Sequence, residues 1–358
     1  MNGHAVADVA IAGGGIIGLS LGLELERRGL TVVVIDRQQA MSSASWAAGG
    51  MLAVHDPQNP AALMPLCVRS WELYPQYLKR VETLSGKKVP LRTRRAMQHV
   101  VTEHWAENGT RTGAGGLVTE AELAEFAPGL DASGHIFEWL DEGSLDPNDV
   151  REALPAAFKA AGGTLLEETE MLSVESVTGG VFVRTSRRHV SAHMFVNCCG
   201  AWAGETERGL GALPVVPVKG QMANLRCRPE RLRCVVRAPG IYLVPRGDGR
   251  VTIGATIEHV GFDERVDEGS IRRMAEAAIS LLPEAEAPPQ MDMWAGLRPG
   301  TPDGLPILGA AGQEHCWHAT GHYRDGILLA PVTAQVMAQA MLGEKPDVSL
   351  DAYASTRF

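Results

Sequence analysis

Nowhere does this chain of 358 residues carry eighteen consecutive apolar side chains, so a membrane-spanning helix is excluded. It has no Cys-x-x-Cys pair, and its six cysteines, Cys67, Cys198, Cys199, Cys227, Cys234 and Cys316, lack the density of a disulfide scaffold. A reduced, cytoplasmic compartment fits that usage. No cationic segment opens the chain: Met1-Asn2-Gly3-His4 leads into an apolar stretch from Val9, so no signal peptide is expected. Basic residues are too few for a nucleic-acid partner, 33 Lys and Arg against 42 Asp and Glu, a net charge of −9 with no compensating stripe. Low-complexity runs are missing too, since the 40 glycines are spread through turns.

What is present is a globular composition, 45% hydrophobic and 21% charged, in a chain long enough to predict two intimately joined domains. The first thirty-six residues organise it. Asp8 to Ala12 reads as a buried strand, Gly13-x-Gly15-x-x-Gly18 opens a helix over Ile16 to Arg28, Gly29 ends it, and a second strand, Thr31 to Ile35, stops at Asp36. Gly13 permits a tight turn, Gly15 a close approach of backbone to a pyrophosphate, and Gly18 close packing of helix on strand. The helix N-terminus, with Ile16 and Ile17, offers N–H donors to phosphate. Asp36, followed by Arg37, is placed to accept from a ribose hydroxyl. Strand, helix and terminal acid together specify a dinucleotide site, with FAD and NAD both open at this point.

Next, Ser42-Ser43-Ala44-Ser45-Trp46-Ala47-Ala48-Gly49-Gly50-Met51-Leu52 is a run of small residues against which a flat ring can lie, with Ser43 or Ser45 able to meet phosphate oxygens. Leu63 to Ser85 reads as a long helix, broken near Pro65 and Pro75, with Leu66, Leu73, Tyr77, Leu78, Val81 and Leu84 toward the core. Val89 to Val101 is strand-like and Gly109 to Gly116 a surface turn. Gly113-x-Gly115 lacks a third glycine, so one dinucleotide is expected. Thr119 to Glu122 caps a short helix, Ile136 to Trp139 is a strand, and Asp146-Pro147-Asn148 introduces a helix over Asp149 to Ala161. Strands follow at Leu165 to Val174 and Val181 to Thr185, and Met194 to Asn197 runs into Cys198-Cys199-Gly200-Ala201-Trp202. Val215 to Leu225, Gly240 to Pro245 and Arg250 to Gly254 alternate as antiparallel strands, the last two joined by the turn Arg246-Gly247-Asp248-Gly249. A helix spans Asp267 to Leu282.

The C-terminal third sets Arg298 among apolar residues, prolines and glycines in Met293 to Gly309, where an idle charge is not expected. Gly321-His322-Tyr323-Arg324-Asp325-Gly326-Ile327-Leu328-Leu329-Ala330-Pro331 is a glycine-bounded loop opening a final helix, Val332 to Leu342. His315 and His318, read on one strand, point to opposite faces with no accompanying carboxylates, so no metal is expected.

These stretches, with Leu-Arg-Pro-Gly-Thr-Pro-Asp and Tyr-Leu-Val-Pro-Arg followed by Ile-Gly-Ala-Thr, resemble the glycine oxidase branch, thiamine-pathway type, of the D-amino-acid oxidase family. The likeness runs nearly the whole length. It implies an α/β (α+β) protein: a discontinuous Rossmann-like FAD-binding domain, roughly residues 1–85, 143–212 and 295–358, and an antiparallel-sheet substrate domain, 86–142 and 213–294. It also implies noncovalent FAD, a small amino-acid substrate, O2 as acceptor and, as a family expectation, a homo-oligomer. The implied activity is oxidation of glycine, sarcosine and small D-amino acids to an oxo acid with hydrogen peroxide released.

Carried over by residue, the resemblance gives Arg298 the substrate carboxylate, Tyr242 a second hydrogen bond, and Arg324 and Met51 places at the reacting centre. Cofactor positions are Gly13, Gly15, Ile16, Ile17, Gly18, Asp36, Arg37, Ser43, Ser45, Ala48, Gly49, Gly50, Met51, Leu52, Val174, Cys199, Gly200, Trp202, Arg298, Gly321, His322, Arg324, Asp325, Gly326, Ile327 and Leu328. The helix opening near Gly326-Ile327-Leu328 aims its N–H groups at the flavin. Departures from the family pattern are Arg95-Ala96-Met97-Gln98, Gly22 for alanine, Asp36 for glutamate, and Gly240 where relatives carry a larger side chain. Two rivals stay open here: a D-amino-acid dehydrogenase passing electrons to a quinone or partner subunit, and a flavin-binding module without turnover.

Overall fold

The computed structural model describes residues 4–100, 115–204 and 212–358. Met1 to Gly3, the end of the expected strand at Val101 and most of the Gly109–Gly116 turn lie outside them. In chain order the elements are β1 (Ala5–Ala12), α1 (Ile16–Arg27), β2 (Val32–Ile35), β3 (Met51–Leu52), α2 (Met64–Ser85), β4 (Ala96–His99), α3 (Glu120–Phe126), β5 (Phe137–Leu140), β6 (Gly143–Ser144) and α4 (Pro147–Ala160). There follow β7 (Thr164–Leu166), β8 (Met171–Val177), β9 (Gly180–Thr185), β10 (Val190–Asn197), β11 (Val216–Arg226), β12 (Val235–Ala238), β13 (Ile241–Pro245), β14 (Arg250–Gly254), α5 (Glu268–Leu281), β15 (Met293–Gly300), β16 (Ile307–Ala310), β17 (Cys316–Thr320) and α6 (Gly326–Met341).

One sheet has the order β16-β17-β10-β1-β2-β7, with the β8–β9 hairpin attached to β10. Strands β17, β10, β1, β2 and β7 are mutually parallel. Both faces are covered, which is why β1 and β2 read as apolar runs without alternation. Val9, Ile11 and Val34 meet α1, α2, α4 and α6, while Ala10, Val33 and Ile35 pack with Val181 and Val183 of the hairpin and Phe195 of β10. Gly22, one of the departures, is bare because α4 lies on it: a Cβ there falls 2.8 Å from Cε2 of Phe158.

A second sheet, β15-β11-β14-β13-β12-β4-β5, is antiparallel except for the parallel β12–β4 pair. Helix α5 covers one face, packing Ile271, Met274, Ala278 and Leu281 on Ala223, Leu243 and Ile253. The other face looks toward the first sheet. All of β15 belongs here, so the boundary expected at residue 295 falls inside a strand.

Three sequence readings change. Leu165 to Val174 is two strands, β7 and β8, rather than one. Helix α2 runs unbroken, with Pro65 in its first turn, where no N–H partner is required, and Pro75 on the exposed side. Its fully buried positions include Cys67, Ser70 and Tyr74; Leu73, Tyr77 and Leu84 are only partly buried. Helix α6 begins at Gly326, not Val332. Pro331 inside it has no N–H for the carbonyl of Ile327, and the Tyr74 hydroxyl donates there instead (2.5 Å), while Ser70 donates to the Leu328 carbonyl (2.5 Å). Among the described residues no helix is long and apolar enough to cross a membrane.

Candidate active site

The loop after β1 is shaped by what glycine omits. Gly13 has φ +108°, and a Cβ on it would lie 2.2 Å from the Cys198 carbonyl oxygen at the end of β10; one on Gly18 would lie 2.0 Å from the Gly13 oxygen. Gly15 caps α1, whose first turn holds no acid, so the positive helix end stays available to an anion. The Ile16 N–H donates to Ser45 Oγ (3.0 Å). Asp36 is used locally first: Oδ2 accepts from the Gly14 N–H at 2.6 Å and Oδ1 from the Gln38 N–H at 2.8 Å. Burial raises its pKa, with those N–H bonds opposing. Arg37 lies 3.9 Å from the Trp202 ring centroid, and Phe262 stacks on that indole.

A cavity of about 370 Å³ runs from this loop to the free face of the second sheet. Its wall includes Gly13, Gly15, Ile16, Ile17, Asp36, Arg37, Ser43, Ser45, Ala48, Gly49, Gly50, Met51, Cys199, Gly200, Trp202, Tyr242, Arg298, His322, Arg324, Asp325, Gly326 and Ile327, all positions named from the sequence. Five others are not on it. Gly18 serves packing, Leu52 and Leu328 are fully buried in the core, and Gly321 makes a turn at φ +74° against Thr301. Val174 is a correction: it pairs with Val183 inside the β8–β9 hairpin, in the core away from the cavity, and Met171 lines the wall instead. Gln98, Gly220, Met222, Arg237 and Gly254 are on the wall as well and were not singled out.

On the sheet side one register row crosses five strands: Gln98, Arg237, Tyr242, Gly254 and Met222. Tyr242 leans over its neighbour. A Cβ on Gly254 would lie 2.4 Å from the Tyr242 hydroxyl, which donates to Met222 Sδ at 3.5 Å. Burial raises the Tyr242 pKa, while Arg298, foremost among three guanidinium groups, pulls it back, so the phenol keeps its proton. Arg298 extends over Gly220, where a Cβ would fall 2.1 Å from Nη2. Its Nη1 donates to the Thr256 carbonyl (3.1 Å), and among the described residues no carboxylate pairs with it.

The small-residue loop is clamped from this side. Trp294 Nε1 donates to the Ala47 carbonyl (3.1 Å), and Arg246 donates to the carbonyls of Gly49 (3.0 Å) and Leu145 (2.8 Å) and to Thr252 Oγ1 (2.9 Å). Burial lowers the Arg246 pKa to about 10. Arg246 was read only as part of a turn; its place in Tyr-Leu-Val-Pro-Arg was the available signal. Arg324 is partly engaged, donating to Gln58 Oε1 and Asn59 Oδ1 with Asp56 3.8 Å away. Gly240 sits at φ +73° beside open space.

At the far end α6 points its N-terminus at the same cavity, with Asp325 as N-cap and no side-chain bond to the helix. Buried His322 bonds Thr333 Oγ1 (3.0 Å), and burial lowers its pKa to about 3. His315 precedes β17 at φ +64°, so the opposite-faces reading does not apply to it. Burial pushes Asp325 up to about 7, with the Asp56 carboxylate adding to this and Asn59, Arg324 and Arg237 opposing. Between pH about 4 and 7 the folded chain therefore holds a proton that an unfolded carboxyl, near 3.8, has released. That contribution is present at low pH and is lost as pH rises toward 7. Asp325→Asn is expected to gain melting temperature relative to the native chain between pH 5 and pH 8; a constant difference across that range would show that the buried acid does not titrate there.

The cavity fits a flavin dinucleotide by its own features. Two helix N-termini, α1 and α6, open onto it, the glycine loop leaves no Cβ between backbone and a pyrophosphate, and the run of Ala47 to Gly50 presents a flat wall. The profile of the family described as FAD dependent oxidoreductase (DAO) matches residues 8–340. "Glycine oxidase" of Pseudomonas aeruginosa is 33% identical over 357 residues, covering 97% of this chain and 98% of that protein. "Glycine oxidase" of Geobacillus kaustophilus is 32% identical over 364 residues, covering 98% and 97%. The crystal structure of glycine oxidase from Geobacillus kaustophilus has a TM-score of 0.91 and 31% identity, covering 99% of each chain.

Proposed function

The chain belongs to the family of FAD-dependent oxidoreductases, and from that membership we propose that it deaminates glycine and other small amines, sarcosine and small D-amino acids among them. FAD is its cofactor and amine oxidation its reaction class. The observation that carries the finer reading is Arg298, a guanidinium on the cavity wall with N–H donors to spare and no carboxylate partner among the described residues.

A guanidinium fork matches a carboxylate bidentately, so Arg298 holds the substrate's acid group in two bonds. Tyr242, protonated and leaning over Gly254, donates a further bond beside it. Together they fix the orientation of Cα, and catalysis is mostly this positioning. No side chain is asked to act as general base, because the amine reacts neutral. The N-terminus of α6, through Gly326 and Ile327, favours negative charge at its end of the cavity. Gly13 to Ile17 and Asp36 would hold the dinucleotide, Ala48 to Met51 the ring. Bound there, FAD would supply a two-electron acceptor for the hydride leaving Cα, after which water would convert the imine to oxo acid and ammonia (methylamine from sarcosine) and oxygen would take the electrons as hydrogen peroxide.

Anaerobic mixing with glycine, sarcosine, D-alanine, D-proline and D-lysine is expected to bleach the flavin absorbance, and air to restore it with peroxide released. Bleaching without peroxide would replace oxygen by another acceptor. A flavin that none of these bleaches would end the amine-oxidase reading.

A further inference from the structure

Two early rungs of helix α6 are completed by another helix. Pro331 has no N–H for the Ile327 carbonyl, and the Tyr74 hydroxyl of α2 donates to that oxygen at 2.5 Å. At the next rung the Ser70 hydroxyl of α2 stands between the partners, donating to the Leu328 carbonyl (2.5 Å) and accepting from the Val332 N–H (3.4 Å). Ser70 and Tyr74 are four positions apart, hence on one face of α2, and both are fully buried. Burial raises the Tyr74 pKa well above its ordinary value, so the phenol keeps the proton it donates.

The first turn of α6 is the part that meets the cavity. Gly326 and Ile327 line the wall, and the turn holds no acidic side chain. A peptide unit is planar, so fixing the Ile327 oxygen also fixes the Leu328 N–H of the same unit. That N–H is one of the donors at a helix start that have no partner within the helix. A hydrogen bond donated to the oxygen polarises the unit as well, which strengthens the partial positive charge at that end. Without Tyr74 the buried Ile327 oxygen is left unpaired, because Pro331 supplies nothing, and the turn relaxes toward another partner.

Resting on the reading that the α6 N-terminus favours negative charge at its end of the cavity, we infer that Tyr74 and Ser70 are positioning residues: from α2 they hold the first turn of α6 at the setting that raises the electron affinity of the bound flavin. Neither is on the cavity wall. They act through the Ile327 and Leu328 peptides.

The test is the midpoint potential of the flavin in the holoprotein, read by equilibration with a reference dye and without substrate. Tyr74→Phe and Ser70→Ala are each expected to lower the reduced-to-oxidised ratio at a fixed potential by ~3- to 10-fold, the larger change being about 30 mV for a two-electron couple. Tyr77→Phe is the control, because the hydroxyl it removes from the same helix meets Ser20 of α1 (2.8 Å) rather than α6. Adding Pro331→Ala to Tyr74→Phe returns an N–H to the Ile327 carbonyl and is expected to bring the potential back toward native. A lower melting temperature with an unchanged potential, an equal shift in Tyr77→Phe, or no rescue in a folded double variant would overturn the inference and leave the two side chains a structural role only. Where the double variant does not fold, the Tyr74→Phe and Tyr77→Phe comparison decides. Asp325→Asn at pH 8 tests the α6 reading by itself, since losing a carboxylate at the helix start is expected to raise the potential. If it does so while Tyr74→Phe stays native, the inference alone fails; if neither moves, the α6 reading falls and takes the inference with it. Failure of the amine panel to bleach the flavin leaves this result standing, because no amine enters the measurement.

Discussion

Arg298→Ala is expected to raise the KM for glycine by on the order of a hundred- to thousand-fold, equivalent to about 3–5 kcal/mol for removing one partner of a buried charge pair. Among the described residues no other guanidinium beside Tyr242 is placed to replace it. Arg324 is tied to Gln58, Asn59 and Asp56, Arg246 to backbone carbonyls, and Arg237 lies across Tyr242. Arg298→Lys is expected to recover little, because an ammonium cannot present two parallel donors. The loss should fall on KM more than on kcat, since a carboxylate is held alike before and during reaction. Steady-state kinetics with glycine decides the matter, and an unchanged KM removes Arg298 from this role. The melting temperature of the variant should stay close to native, as Arg298 bonds only a backbone oxygen and the neighbouring Tyr242 phenol and makes no ion pair among the described residues.

Gly13→Ala is expected to yield protein without flavin. Two terms add there: a left-handed φ of +108° and a Cβ 2.2 Å from the Cys198 oxygen, which is backbone and cannot swing aside. The first costs about 1–2 kcal/mol and overpacking about 1–3 kcal/mol more. Relief requires β1 and β10 to move apart, which opens the phosphate loop itself. The purified variant should lack flavin absorbance and melt roughly 5–15 °C lower. Gly29→Ala is the control: φ is +86° with nothing within 4 Å of the added atom, so it carries the first term alone. If Gly13→Ala keeps its flavin, the close approach at β10 is not what shapes the site.

The fold was legible where one local rule had one solution. Strand, glycine loop, helix, strand and acid in thirty-six residues specify β1-α1-β2, because the loop needs bare backbone and the sheet, covered on both faces, needs unbroken apolar runs. Caps were equally local: Thr119 with Glu122, Asp146 and Asp267 each bond the N–H groups of the helix they precede. Elements set by distant partners were not readable. Val235 to Ala238 has four residues, one of them charged, and is a strand only because β4 and β13 lie on either side. Helix α6 starts earlier than its sequence suggests because the Tyr74 hydroxyl that replaces the missing N–H of Pro331 stands on α2, more than two hundred and fifty positions away.

By itself the sequence determined the dinucleotide loop and the antiparallel character of the second sheet, since each follows from short-range sterics or hydrogen bonding. Only the tertiary structure decided which charges are spoken for. Arg246, Arg324, Arg298 and Arg237 look alike along the chain, and they differ in whether a carbonyl, a carboxylate or open cavity meets the guanidinium. Bare positions on neighbouring strands, Gly220 and Gly254, then set where Arg298 and Tyr242 reach. Such pairings depend on strand register between segments far apart in sequence, and register is fixed by packing of the whole sheet rather than by any one stretch of it.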